Sequence, residues 1–297
     1  MRRTYGMQLT IDKYTRMVAP LDVRDLDLAD AFHTHRLDSD VLRCLRYMHD
    51  IELHTICYLR DLLVTSAHRD PEITTFLTFW SFEEYWHGEA IAEVLRAHGE
   101  QAGATRVGEL RRRRRVAETA KPFIHGLASL VVGPSMTAVH MTWGAINEWT
   151  TQAGYARLAQ RCDHPVLNEM LRRIMKQEGR HIDFYSAQAS KRLSDNRRAQ
   201  WLTRQALTRF WAPVGSDVMP EPEVRHLISY LFVGDDGAAM AARIDRRIDT
   251  LPGLSGLGLV AKARASMTGE FGNHGRERLD VFSAHGYVAE TPTFAAV

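Results

Sequence analysis

The sequence predicts an all-α protein, a four-helix bundle with additional helices at its C-terminal end. Apolar residues recur at three- and four-residue steps through long segments, which is the period of an α-helix rather than of a β-strand. In four of these segments a glutamate falls inside the apolar stripe, and in two of the four a histidine follows it by three residues. The glutamates and histidines in these apolar stripes are also the candidate ligands of a binding site inside the bundle.

Proline and glycine set the predicted ends of the helices. The four core helices are expected over residues 38–66, 71–98, 117–161 and 165–193. Pro71 suits the first turn of the second helix, and Gly99 suits its stop. A polar, basic connection is expected after Gly99. The third helix should break at Gly133-Pro134, because proline removes a backbone donor and clashes with the preceding turn.

The predicted bundle is one domain with flanking segments. Residues 1–37 are an N-terminal extension, residues 38–195 are the bundle, and residues 196–272 are helices that pack on it. These additional helices are expected over residues 195–212, 221–232, 235–249 and 257–270. A tail over residues 273–297 is expected to be poorly ordered.

Composition argues against several classes of protein. The 297 residues are 45% hydrophobic and 25% charged, with a net charge of +2, which is ordinary for a globular domain. This modest charge, without a recognition motif, argues against nucleic-acid binding. No apolar run reaches the roughly 18 residues of a membrane span, and the N-terminus lacks the apolar region of a signal peptide. We therefore expect a soluble, cytoplasmic protein.

The three cysteines are Cys44, Cys57 and Cys162, and none belongs to a C-x-x-C pair. This spacing does not predict a disulfide framework or a thiolate metal site. We expect free thiols in a reducing compartment.

The pattern Glu-x-x-His occurs twice, at Glu84–His87 and at Glu178–His181. Residues three apart on a helix share a face, so each pair can bind one metal ion from a single helix. The first and third helices each carry one further glutamate in the apolar stripe, Glu52 and Glu148. In di-iron and di-manganese carboxylate bundles, two helices each donate one such glutamate. We expect Glu52 and Glu148 to bridge the two metals.

A buried, unpaired carboxylate costs several kcal/mol or shifts its pKa until it is neutral. Four carboxylates that converge with two histidines are explained if metal cations neutralise them. The predicted metal ligands are Glu52, Glu84, His87, Glu148, Glu178 and His181. Glu83 is one position off the stripe, and we expect it to support the site from outside the ligand set or to lie on the surface.

Oxygen-rich sites with imidazole ligands suit iron and manganese, and the absence of thiolates argues against structural zinc or an iron–sulfur cluster. Two iron ions are the favoured cofactor, with manganese or a mixed pair as alternatives. Such a site can use O2 as a co-substrate.

Two segments resemble motifs of the soluble acyl-[acyl-carrier-protein] desaturases. Trp80–Gly88 is similar to the family's EE-x-x-HG motif, and Gln177–His181 is similar to its DE-x-RH motif. The resemblance covers about residues 40–195 and implies a ferritin-like bundle with the six ligands named above. It also implies an acyl chain on acyl carrier protein as substrate, a ferredoxin-type electron donor and a homodimer.

Two further residues bear on how closely the sequence matches this family. Thr151, one turn after Glu148, matches a threonine thought to help proton delivery in some members, although a helix-packing role is an equal alternative. Gln177 departs from the family, in which an acid commonly orients a ligand histidine. An amide can still accept a hydrogen bond, but the electron path into the site can differ.

Two further sets of residues have two interpretations each. The basic run is either a solvated connection or a docking site for the acidic acyl carrier protein, and it comprises Arg111, Arg112, Arg113, Arg114 and Arg115. A second set either lines a substrate channel or fills the core, and it comprises Met48, Trp80, Met141, Trp143, Ile174 and Tyr185.

The leading functional hypothesis is an O2-dependent di-iron oxidase that desaturates an acyl chain. The first alternative is a di-iron oxygenase, a hydroxylase or N-oxygenase, acting on a non-acyl small molecule. N-oxygenases typically have an extra histidine ligand, and Ile174 stands one turn before Glu178 here. A ribonucleotide-reductase-like radical role is weaker, because Ile91 stands where those proteins have a tyrosine. Iron storage, as in ferritins, and a purely structural bundle are the remaining hypotheses.

Overall fold

The computed structural model describes residues 10–269, and this part of the chain is helical, without a β-strand. The α-helices are α1 (Ile11–Thr15), α2 (Leu28–Thr34), α3 (Ser39–Leu63), α4 (Pro71–Ala97), α5 (Ala104–Arg113), α6 (Arg115–Val132), α7 (Ser135–Arg161), α8 (Pro165–Leu193), α9 (Arg197–Phe210), α10 (Glu221–Leu231), α11 (Gly234–Asp249) and α12 (Leu259–Thr268). The predicted all-α fold class is confirmed. The predicted tail over 273–297 lies outside the described residues.

The long helices begin and end at the residues that favour helix boundaries. Asp70 caps α4 by accepting hydrogen bonds from the backbone N–H groups of Glu72 and Ile73, and Pro71 occupies the first turn. The chain breaks at Gly133-Pro134, between α6 and α7, as predicted. Gly133 has a φ of 69°, a left-handed conformation that glycine adopts readily.

The basic connection predicted between the second and third core helices is instead helical. Arg114 separates α5 from α6, so the arginine run spans the end of one helix and the start of the next. Arginine is a good helix former. Two of the side chains also donate hydrogen bonds to backbone carbonyls, Arg111 to Leu53 and Arg114 to Asp217.

Two helix pairs form the centre of the structure, α3 with α4 and α7 with α8, and α4 also packs on α8. Short links return the chain, which makes the helices of each pair antiparallel neighbours. Glycine lets each pair approach closely. A Cβ atom at Gly88 would lie 2.6 Å from the side chain of Leu53, and one at Gly144 would lie 2.3 Å from the ring of Tyr185.

The flanking segments pack on this centre. Tyr14 and Phe32, from α1 and α2, are fully buried in the same apolar cluster as the bundle helices. Helix α9 packs on α7, and α10 packs on α3. The three cysteines are free thiols, and no helix of the described residues is long and apolar enough to cross a membrane.

We expect Gly144→Ala to lower the free energy of unfolding by about 1–3 kcal/mol, because the added methyl group overpacks the contact with Tyr185. Gly108→Ala is the matched control, since nothing lies within 4 Å of a Cβ at this helical position. The control should be stabilised by about 0.5–1 kcal/mol. Chemical denaturation measures both changes, and equal effects at the two sites would contradict the close approach.

Candidate metal centre

The structure brings the six predicted ligands together inside the bundle, and each is buried. Helices α3 and α7 supply one glutamate each, and α4 and α8 supply one Glu-x-x-His pair each. The side chains form two groups, whose members are Glu52, Glu84, His87 and Glu178 in the first and Glu84, Glu148, Glu178 and His181 in the second. Within each group the donor atoms lie within 4.8 Å of one another, close enough to bind a metal ion.

Glu84 and Glu178 belong to both groups, whereas Glu52 and Glu148 each belong to one. The expectation that Glu52 and Glu148 bridge the metals is therefore wrong for this geometry. The two glutamates of the Glu-x-x-His motifs occupy the centre because α4 and α8, which carry the motifs, pack on each other and bring these two side chains together. Glu52 and Glu148 lie at the two ends.

Both imidazoles direct Nδ1 into the site. Nδ1 of His87 lies 3.1 Å from Oε2 of Glu84 and 3.4 Å from Oε1 of Glu178. Nδ1 of His181 lies 3.1 Å from Oε2 of Glu178 and 3.2 Å from Oε1 of Glu84. Each histidine thus contacts both central glutamates, which makes the two halves of the site similar.

The other ring nitrogen of each histidine, Nε2, points away from the site and contacts the residue that precedes the glutamate of the other Glu-x-x-His motif. Nε2 of His87 lies 2.8 Å from Oε1 of Gln177, and Nε2 of His181 lies 2.9 Å from Oε2 of Glu83. An acceptor at this nitrogen fixes the orientation and the tautomer of a metal-binding histidine. Gln177 therefore accepts a hydrogen bond from a ligand histidine, although it is neutral.

Glu83 is fully buried, so it supports the site and does not lie on the surface. The Glu83 carboxylate also accepts hydrogen bonds from the hydroxyl group of Tyr14, at 2.9 Å, and from the guanidinium group of Arg180. Tyr14 lies in α1, so the N-terminal segment contacts the hydrogen-bond partner of a predicted metal ligand.

The two end glutamates are also positioned by hydrogen bonds. The indole N–H of Trp80 donates to Oε1 of Glu148 at 2.9 Å, and the hydroxyl group of Tyr155 donates to Oε1 of Glu52. Each bond occupies one carboxylate oxygen and leaves the second oxygen for a metal ion. Trp80 therefore positions the carboxylate of Glu148.

Burial raises the pKa of both end glutamates. The negative charge of Glu84 raises the pKa of Glu52 further, and the charges of Glu178 and Glu84 do the same for Glu148. Both shifts favour the neutral form of the end glutamates when no metal ion is bound.

Burial by itself would raise the pKa of the central glutamates, but their interactions with the two histidines lower the pKa by more. Ion pairs and hydrogen bonds with His181 and His87 hold the pKa of Glu84 well below its usual range, and they lower the pKa of Glu178. Burial alone would lower the pKa of His87, yet the carboxylates of Glu178 and Glu84 raise it to about 10. The pKa of His181 is raised as well, because its interactions with Tyr14, Glu84 and the hydrogen-bonded carboxylates outweigh burial.

These residues fit two divalent cations. The buried Oε1 atom of Glu178 has no hydrogen bond of good geometry within the described chain, and the contact from Nδ1 of His87 at 3.4 Å is long, so its hydrogen-bonding capacity is poorly satisfied. A metal ion between the central glutamates would satisfy it. Four carboxylates balance the charge of two divalent ions, and the oxygen-rich donor set with two imidazoles suits iron or manganese.

A third group of donors, His54, Cys57 and Glu118, also lies within 4.8 Å. Its carboxylate is already paired with two cations, Arg60 at 3.1 Å and Lys121 at 3.1 Å. Burial raises the pKa of the Cys57 thiol, which disfavours the thiolate that binds metals. The six-ligand site is therefore the better metal site.

A cavity of about 830 Å³ adjoins the site, and Glu84 and Glu148 are part of its lining. Of the predicted channel residues, Trp80, Trp143 and Tyr185 line this cavity. Thr151 lines it too.

The other predicted channel residues lie elsewhere. Met48 lines a smaller cavity of about 80 Å³, which Glu52 and Thr151 also line. Met141 and Ile174 are fully buried and line neither cavity, so they belong to the core.

Three histidines in the large cavity have no counterpart in the sequence prediction: His54, His125 and His140. Both ring nitrogens of His54, Nδ1 of His125 and Nε2 of His140 form no hydrogen bond within residues 10–269, although Nε2 of His54 lies 3.4 Å from Glu118. The rings of His125 and His140 are stacked, with centroids 5.9 Å apart. The cavity thus offers polar groups as well as aromatic surface.

We expect Glu83→Ala to weaken metal binding about 10- to 100-fold, because His181 loses the acceptor that orients it. Glu93→Ala, at an exposed position of the same helix, is the matched control and should bind metal as the wild type does. Titration with ferrous or manganous ions under anaerobic conditions measures both affinities. Unchanged affinity in Glu83→Ala would show that this contact does not support the site.

Metal binding should depend strongly on pH. Below the raised pKa of about 10, His87 carries a proton that a metal ion must displace. Metal affinity should therefore keep rising between pH 6.5 and about 10 and fall as the pH is lowered. Because the pKa values of His181, Glu52 and Glu148 are raised as well, metal binding should release protons from these groups too, measured by calorimetry in buffers of different ionisation enthalpy. An affinity that levels off at pH 6.5 would contradict these shifts.

Comparison with family models and with curated proteins finds no match for this chain. The assignment of a metal site therefore rests on the six side chains, their distances and their surroundings. Within residues 10–269, the observed geometry is that of a buried carboxylate–histidine cluster that could bind metal.

Proposed function

We propose that the protein is an O2-dependent di-iron oxidase that oxidises C–H bonds of a substrate held in the large cavity. The observation that carries this proposal is the contact between cavity and site, because Glu84 and Glu148 belong to both. A substrate in the cavity can lie beside the metals. A storage protein has no need for a cavity of about 830 Å³ at its metal site.

Desaturation of an acyl chain on acyl carrier protein is the reaction we favour. The motif resemblance at residues 80–88 and 177–181 supports it, as does the aromatic surface of Trp80, Trp143 and Tyr185 beside the ligands. Removal of two hydrogen atoms from adjacent methylene groups by O2 consumes two electrons and two protons and yields two water molecules. A ferredoxin-type donor would supply the electrons.

The chain's own residues provide binding and orientation. Bound irons would supply the redox chemistry by which O2 oxidises a C–H bond. Trp80 and Tyr155 hold the end glutamates, and Gln177 and Glu83 orient the histidines. Thr151 lies on the cavity lining one turn after Glu148, where its hydroxyl group can pass a proton to the site.

An oxygenase acting on a non-acyl molecule is the second candidate, and the polar cavity lining favours it. An unbranched hydrocarbon chain offers no partner to the unbonded nitrogens of His54, His125 and His140 or to Oδ1 of Asn147. A substrate with hydroxyl or amide groups would bond to them. The sort of product formed distinguishes the two candidates.

The test uses iron-loaded protein with a ferredoxin and its reductase, supplied with palmitoyl- and stearoyl-acyl carrier protein. We expect mass spectrometry to show loss of two hydrogen atoms from the acyl chain. Gain of one oxygen atom would favour the oxygenase. Glu178→Ala should abolish turnover and metal binding together, whereas Glu169→Ala, a partly exposed position on the same helix, should retain both.

Iron-loaded protein that reduces O2 but leaves every acyl substrate unchanged would overturn the desaturase assignment. Protein that takes up no transition metal even under anaerobic reconstitution would overturn the oxidase proposal as a whole.

A further inference from the structure

Helix α6 presents its apolar face to solvent. Six large apolar side chains at three- and four-residue steps along this helix are between 63% and 85% exposed, and they are Val116, Phe123, Ile124, Leu127, Leu130 and Val131. We refer to these six residues as the outer stripe. The opposite face of α6 carries Glu118, Lys121 and His125, which line the large cavity. This orientation is the reverse of that of an ordinary surface helix, whose apolar face is buried.

The outer stripe continues to the opening of the large cavity. Ile124 lines the cavity and is 63% exposed. Trp201 and Phe210, from α9, line the same cavity and are about equally exposed, at 60% and 59%. Residues that are both exposed and part of the lining mark where the cavity reaches the surface. The cavity that adjoins the metal ligands therefore opens among exposed apolar side chains.

Positive charge flanks the outer stripe at the N-terminal end of α6. Arg112, Arg113 and Arg115 are exposed, and within residues 10–269 none of the three forms an ion pair. A contiguous exposed apolar surface on a protein marks an interaction site. Apolar residues on one helix beside unpaired arginines are typical of helices that lie in the surface of an anionic bilayer.

We propose that the outer stripe and the cavity opening dock on an anionic membrane surface, with α6 in the plane of the lipid headgroups. The apolar side chains would enter the acyl region, and the three arginines would contact lipid phosphates. The cavity would then open toward the bilayer, so that a lipophilic substrate not attached to acyl carrier protein could enter without crossing water. Docking itself is independent of the proposed oxidase function, whereas substrate entry from the bilayer rests on the second candidate, an oxygenase that acts on a non-acyl molecule.

A second copy of the chain fits this surface less well. Residues 126–136, at the C-terminal end of the outer stripe, include no carboxylate. An antiparallel pair of α6 helices would place the arginines of one copy against this segment of the other, without an acidic partner. A parallel pair would bring the two arginine groups together, which is repulsive. Anionic lipid supplies the missing negative charge.

The test is co-sedimentation of the full-length protein with vesicles of one part phosphatidylglycerol and two parts phosphatidylcholine. We expect binding to these vesicles and much weaker binding to pure phosphatidylcholine. Arg112→Gln, Arg113→Gln and Arg115→Gln together should weaken binding about a hundredfold at low salt, since each arginine near an anionic surface contributes roughly fivefold. The matched control replaces Arg243, Arg246 and Arg247, three exposed arginines of α11, by Gln and should bind as the wild type does.

The apolar contribution is tested separately with Leu127→Glu and Leu130→Glu, which should abolish sedimentation with vesicles. Met17→Glu with Val233→Glu, two exposed apolar residues outside the stripe, is the control. Wild-type protein that does not bind anionic vesicles would overturn the proposal. So would light scattering that shows a dimer dissociated by the Leu127 and Leu130 changes, because the stripe would then join two copies.

Vesicle binding is measured without turnover and can be repeated with Glu178→Ala. If that variant binds vesicles but takes up no metal, docking and metal binding are separate properties. A failure of the oxidase proposal would therefore not be mistaken for a failure of docking. Should the Leu127 and Leu130 variant unfold, the arginine variant decides the question, because those three side chains are exposed and unpaired.

Discussion

The burial of four carboxylates in an apolar core is the constraint on which the rest of the structure depends. Each carboxylate needs a compensating partner, because a buried charge without one is strongly destabilising. The chain provides these partners from every side: histidines at the centre, and Trp80 and Tyr155 at the ends. Glycines at 88 and 144 let the helices approach closely enough for the ligands to meet.

The two motifs support each other crosswise. The residue before each motif glutamate accepts a hydrogen bond from the histidine of the other motif, Glu83 from His181 and Gln177 from His87. Each helix of the α4–α8 pair therefore contributes ligands to the site and also an orienting contact to its neighbour. A change in the spacing of these helices would disturb both histidines at once.

The sequence predicted which six side chains meet inside the bundle, because helical periodicity and the Glu-x-x-His spacing are local features. It could not show that Glu84 and Glu178 lie between the metal positions, because that depends on how two distant helices face each other. The contact of Tyr14 with Glu83 joins residues 69 positions apart, and no local pattern marks it. Periodicity predicted a helix before the break at Gly133-Pro134, but a pattern does not reveal what covers a helix, and the apolar face of α6 is exposed.

The hydrogen bonds to the two histidines differ in one respect that would affect bound metal ions unequally. A carboxylate acceptor draws the N–H proton of His181 more strongly than the amide of Gln177 draws that of His87, which makes the imidazole of His181 the better electron donor. Two ions of one element would then have different reduction potentials. A pair of ions held by these residues would therefore be electronically unequal before any substrate arrives.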